Sequence, residues 1–165
     1  MHHAIAKVAA LTALTLLASA ASAEGVRTEK NISLELASQI AAQAVATCTA
    51  NGYAVAATVV DRAGTVRAVL RADTAGTHTL ESSRLKAFTS SSAKQTTQAL
   101  MERSQKVPGA ANLGQIPGYL LLGGGVPVKA GDEVIGAVGV GGAPGGVLDE
   151  QCAVAGIAKV QDLLK

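Results

Sequence analysis

The residue types able to hold a charged, metal-bearing ligand gather in one stretch, Gly76-Thr77-His78-Thr79-Leu80-Glu81-Ser82-Ser83-Arg84-Leu85-Lys86-Ala87-Phe88-Thr89. It reads as a loop turning into a helix. Gly76 permits a sharp turn, and Thr77 or Thr79 can cap the first backbone N–H groups. Glu81 falls in the first turn, where a negative side chain suits the positive end of the helix dipole. Glu81 and Leu85, and likewise Ser82 and Lys86, are four apart and neighbour each other on the helix surface. Leu80, Ala87 and Phe88 fall on one side. His78 stands at the mouth of this helix and has two readings. It is either a polar cap or an axial ligand for a metal whose carrier also bears acid groups, which the N–H groups of Leu80 and Glu81 would receive.

Other chemistries find less support. Gly139-Val140-Gly141-Gly142-Ala143-Pro144 resembles a phosphate-binding glycine loop, but a dinucleotide fingerprint needs a βαβ unit and an acidic residue about 20 positions further on. Only one helix's length of chain follows it. No Walker lysine and no Gly-x-Ser-x-Gly elbow is present. A zinc site needs three or four close ligands, against His78, two cysteines and scattered carboxylates.

The elements that must position His78 begin after a leader. Met1 to Lys7 form a short, weakly basic start, Val8 to Ala20 an apolar run, and Ala21-Ser22-Ala23 a small-residue cleavage pattern before Glu24. Residues 1–23 are thus expected to be a secretory signal, too short for a comfortable membrane span. Residues 24–165 are expected to form a single domain, periplasmic or secreted, with no membrane span. His2 and His3 leave with the signal, so His78 is the histidine of the mature chain. With 14 basic and 12 acidic side chains, no basic field argues for nucleic acid. With two tyrosines, one phenylalanine and no tryptophan, a base-stacking platform is also disfavoured. Cys48 and Cys152 are an even pair in an oxidising compartment, open to a disulfide or to two buried thiols.

In chain order, Ser33 is expected to cap a helix running to about Ala50, with Asn51-Gly52 as its left-handed end. Tyr53–Val60 and Thr65–Arg71 form a hairpin about the turn Asp61–Gly64. Ser90–Thr97 either continues the organising helix or breaks it, and Thr97–Gln105 is a further short helix. Lys106–Gly118 is a long irregular loop. Tyr119–Leu122 is read as a short strand. Val126–Val128 and Val134–Val140 form a second hairpin, where Gly136 and Gly139 point to a closely approaching backbone or ligand. A last helix starts near Leu148. With every strand pair read as a hairpin, the fold class is α+β, an antiparallel sheet with helices packed against it.

Several of these segments, in this order and spacing, are shared with a known family. They are Asn51-Gly52 before Ala54-Val55-Ala56, Val59-Val60-Asp61-x-x-Gly64 and Arg71-x-Asp73. Next come Thr79-x-Glu81-Ser82-Ser83-x-x-Lys86-Ala87-Phe88-Thr89 and Gly124-Gly125-Val126-Pro127. The series ends with Val134-Ile135-Gly136-Ala137-Val138-Gly139-Val140-x-Gly142 and Asp149-Glu150-x-Cys152-Ala153. The chain resembles the GlcG/HbpS family, which includes the C-terminal domain of PduO-type proteins and is described as haem-binding or haem-degrading. The resemblance implies a profilin-like sheet flanked by helices, a homo-oligomer, and haem or a related tetrapyrrole as ligand. It leads to a haem-binding protein for scavenging, storage or sensing, with an enzyme that opens the macrocycle and a purely structural or partner-binding oligomer as alternatives. Under the first, His78 would bind iron, and the N-terminal turn of Thr79, Leu80 and Glu81, or Arg71, would hold the propionates. Tyr53, Tyr119 and Met101 compete with His78 as axial candidates. An iron-binding Glu-x-x-Glu pair is missing, because Arg84 stands three after Glu81.

Overall fold

The computed structural model describes residues 25–165, so the expected leader lies outside the described residues. Ser33 accepts the amide of Leu36 at 3.2 Å and starts α1 (Leu34–Ala50) as its N-cap. Asn51 and a left-handed Gly52 end it, and the Cys48 carbonyl receives the amides of Asn51 and Tyr53. β1 (Ala56–Asp61) and β2 (Val66–Arg71) form the first hairpin. Asp61 tightens its turn by accepting the amides of Ala63 and Thr65, each at 3.0 Å.

α2 (His78–Ala93) absorbs the first serines of the polar run and stops at a left-handed Lys94. α3 (Thr97–Lys106) follows, with Thr96 accepting the amide of Ala99. The loop after it carries two short 3-10 turns, Pro108–Ala110 and Leu113–Gln115. β3 (Gly125–Ala130) and β4 (Glu133–Gly141) make the second hairpin, and α4 (Gly146–Ala158) closes the domain.

The four strands form one antiparallel sheet in the order β2-β1-β4-β3. Its two central strands belong to different hairpins, with Val59 opposite Val138. The expectation that every strand pair is a hairpin therefore fails at the centre. Tyr119–Leu122 is not a strand either. Its backbone is held by threonine hydroxyls instead: the Leu120 amide donates to Thr89 Oγ1 at 2.8 Å, and Thr97 Oγ1 donates to the Leu122 carbonyl at 2.7 Å. Side-chain partners supplied by α2 and α3 have taken the place of a sheet ladder.

Helices cover both faces of the sheet. α1 and α4 lie on one face over a core that includes Ile40, Val55, Val59, Val128, Val138 and Val140. Cys48 and Cys152 join these two helices in a disulfide with Cα atoms 5.6 Å apart. α2 covers the other face with a mostly polar, small-residue side: Thr79, Ser83, Lys86, Ala87 and Ser90 are buried. Apart from Lys86, these are small groups, and the backbone of α2 runs close against β4. A Cβ on Gly139 would collide with the Ser83 carbonyl and lie 2.5 Å from the Ala87 amide. The close approach expected at this glycine is thus made by a helix backbone. Ser83 and Thr58 complete the contact with a buried hydroxyl pair at 2.7 Å.

Candidate functional site

The mouth of α2 is built by the edge strand β2, the loop 72–77 and the first helical turn. Gly76 does not adopt a left-handed φ. A Cβ there would lie 2.8 Å from the His78 ring, so a larger residue would turn the imidazole aside. His78 is exposed, its imidazole lying over Gly76. Neither threonine caps the helix as expected. Thr77 has helical φ and ψ and makes no side-chain cap bond, so its hydroxyl is not brought onto the N–H groups. Thr79 is buried and donates its hydroxyl to the Gly76 carbonyl at 2.6 Å, while its amide donates to the same oxygen at 3.0 Å. It holds the turn and has no donor left over.

Arg71, at the end of β2, donates to the Ala75 carbonyl. Its guanidinium therefore lies beside the residue preceding Gly76, on which the His78 ring rests. Leu80 is 43% exposed and adds apolar surface to the same turn. Glu81 is clasped by Arg84 through two bonds, Nε to Oε2 at 2.8 Å and Nη2 to Oε1 at 2.7 Å. The Arg84 hydrogen bond holds the Glu81 carboxyl below the usual range. The acid at the helix start is thereby balanced by an arginine in the position where a second glutamate would make a metal pair. Among the described residues no three metal-ligating side chains come together. One imidazole suits an iron that brings its other ligands with it, as haem does.

The competing axial candidates lie elsewhere. Tyr119 shares a hydrogen bond with Ser92 at 2.9 Å and meets Phe88 edge-on. Met101 is half-buried on α3. Tyr53 lines an open depression of about 350 Å³ with Ala72, Asp73 and Thr74, on the loop that leads to His78. Sequence reasoning also passed over a buried ion pair. Lys86 Nζ donates to Asp149 Oδ2 at 2.8 Å and to the Val140 carbonyl at 2.9 Å, linking α2 to β4 and to the start of α4. The other carboxylate oxygen of Asp149 accepts the amide of Ala143 at 2.9 Å. Gly124 makes room for this pair, since a Cβ there would lie 3.1 Å from Lys86 Nζ. Both residues stood within shared motifs, but nothing local marks a lysine in a serine-rich helix as inward-facing.

A model of the family described as haem degrading protein, HbpS-like, matches residues 32–158. The chain belongs to the HbpS-like family. Among solved structures, this HbpS-like chain is similar to a doubly substituted variant of Streptomyces reticuli HbpS, with 37% identity and a TM-score of 0.77 over 94% of this chain and 97% of that one. It is similar to Klebsiella pneumoniae protein ORFY, with 29% identity and a TM-score of 0.78 over 83% of this chain and 95% of that one. It is also similar to PduOC, solved as a haem complex, with 25% identity and a TM-score of 0.70 over 78% of this chain and 94% of that one. No curated protein matches the chain at a significant level. The α+β architecture expected from the sequence, an antiparallel sheet flanked by helices, is the fold of these HbpS-like structures.

Proposed function

We propose that this HbpS-like chain binds haem at the mouth of α2, with His78 on the iron, Arg71 on a propionate and Leu80 against the macrocycle. The observation that carries the reading is an exposed imidazole over Gly76 at a helix start, with an arginine bonded to the carbonyl of the preceding Ala75. It occurs in a chain whose relative PduOC was solved with haem. The imidazole supplies the axial nitrogen that suits haem iron. The guanidinium suits a carboxylate through charge-assisted hydrogen bonds. Haem itself would supply a redox-active iron, while the residues named here bind and orient it.

The family's description favours a second reading, in which the bound macrocycle is degraded. Titrating haem into the purified protein and then adding a reductant separates the two. A saturable Soret band that survives reduction is the expected result. Bleaching with stoichiometric release of iron supports degradation, and no spectral change with haem overturns both.

The leader expected over residues 1–23 and the disulfide between α1 and α4 support an exported protein that scavenges, stores or senses haem, since disulfides persist in oxidising compartments. No helix among the described residues is long and apolar enough to cross a membrane. The exported chain is also proposed to be a homo-oligomer. β2 is an edge strand along which Val66, Val69 and Leu70 stand 38–45% exposed, and such edges favour association. Light scattering at micromolar concentration is expected to give a dimer or larger species, and a monomer mass would contradict it.

A further inference from the structure

Between α3 and the first half of α4 lies an open depression of about 290 Å³, lined by Gln98, Val147, Glu150, Gln151 and Val154. It shares no residue with the mouth of α2 or with the Lys86–Asp149 pair. Val147, Glu150 and Val154 are three and four apart, so they stand on one face of α4 with the carboxyl between two valines. The packing of α4 does not call for this arrangement, because Cys152, Ala153 and Gly156 make its core contacts. Val147 and Val154 are instead more than half exposed.

Glu150 keeps one carboxyl oxygen without a partner. Its Oε2 is buried and meets no hydrogen-bond donor. The Gln98 side-chain amide is engaged elsewhere, since its Nε2 donates to Glu102 Oε1 at 3.0 Å. Burial pushes the Glu150 carboxyl above its usual range, and the Glu102 carboxylate on α3 pushes it the same way, while the amides of Gly124 and Gln98 pull it back. The nearby ammonium of Lys106 is already at Glu102, 3.3 Å from Oε2. A buried carboxyl oxygen without a donor carries a desolvation cost that an incoming donor would relieve. The side chain is half-buried and lines the depression, and its terminal torsion is soft.

We propose that this depression binds a small organic cation, an ammonium or guanidinium bearing a short apolar chain. Glu150 is its counter-ion, and Val147 and Val154 flank the chain. The sign of the ligand follows from Glu150, the one ionisable residue that lines the depression. The volume, near the lower end of ordinary small-molecule sites, sets its size.

The test is an NMR titration of the purified protein with n-butylammonium, with 1-butanol as the neutral probe of the same length. Saturable shifts are expected at the Gln98, Glu150 and Gln151 amides and at the Val147 and Val154 methyls. 1-Butanol should bind at least about tenfold more weakly, the scale of one hydrogen bond to a charged group. Glu150→Gln should weaken n-butylammonium by at least the same factor. Val154→Lys, which sets an ammonium of the protein's own one helical turn from Glu150 on the same face, should block the probe in a folded chain. Absence of saturable shifts, equal binding of the two probes, or an undiminished response in either variant overturns the proposal.

Discussion

Replacing Lys86 with methionine is expected to destabilise the protein by about 3–5 kcal/mol at neutral pH, the usual cost of removing one member of a buried ion pair. Lys86 and Asp149 are both almost fully buried, and Lys86 Nζ bridges the Asp149 carboxylate and the Val140 carbonyl. Methionine fills much of the same volume, so the loss is electrostatic: an anion and a carbonyl are left without their donor. The effect carries a pH signature. In the native protein, burial already raises the Asp149 carboxyl, against the pull of Lys86 and of the Ala143 and Gly142 amides. Without Lys86 it rises further. A carboxyl whose folded-state value is raised binds its proton more tightly in the folded chain. Its contribution to stability is therefore complete below about pH 4, the unfolded aspartate value, and is lost as pH rises through the folded value. The gap between variant and parent should be smallest in acid and widen toward neutrality. Urea unfolding at several pH values measures this. A loss independent of pH would mean that packing, not charge, is what Lys86 supplies.

Reduction of the Cys48–Cys152 bridge is expected to cost a comparable amount. The bridge closes a sequence separation of 104 residues. In the chain-entropy view a loop of about 100 residues restricts the unfolded chain by up to about 4.7 kcal/mol. The folded chain should nonetheless keep its shape when reduced, because α1 and α4 touch independently of sulfur. A Cβ on Gly156 would lie 2.6 Å from the Ile40 carbonyl, so the helix backbones are already in close contact. Denaturant midpoints with and without reductant, together with a Cys48→Ala/Cys152→Ala variant, should separate by this amount while circular dichroism stays native. Coincident midpoints would contradict the expectation.

These two stabilising features were not equally visible in the sequence. The cysteine pair announced a bridge as one of two options, and the geometry of α1 against α4 decided it. Local signals served well wherever the cause is local: the Ser33 cap, the Asn51-Gly52 end of α1, and the Asp61–Gly64 turn. They failed where a distant partner decides. The pairing of β1 with β4 has no turn to mark it. Tyr119–Leu122 carries strand-like residues, yet its backbone finds hydroxyls on α2 and α3. α2 misled most. Its buried side is Thr79, Ser83, Lys86, Ala87 and Ser90, so of the apolar trio Leu80, Ala87 and Phe88 only Ala87 is fully buried and Leu80 faces water. At the candidate site, the hydrogen bonds that engage the expected residues were not legible in the sequence. Thr79 is bonded to Gly76, Glu81 to Arg84 and Arg71 to the Ala75 carbonyl, while His78 and Leu80 are exposed.

An absorbance titration of haem into the native protein and into His78→Ala tests the proposed site most directly. His78 is exposed, and a surface substitution of this kind changes stability by no more than about 0.5 kcal/mol. Any spectral difference then reports on the iron. The native protein is expected to give a saturable Soret band, and the variant a shifted band or none. If His78→Ala binds haem with an unchanged spectrum, the iron ligand is not at the mouth of α2.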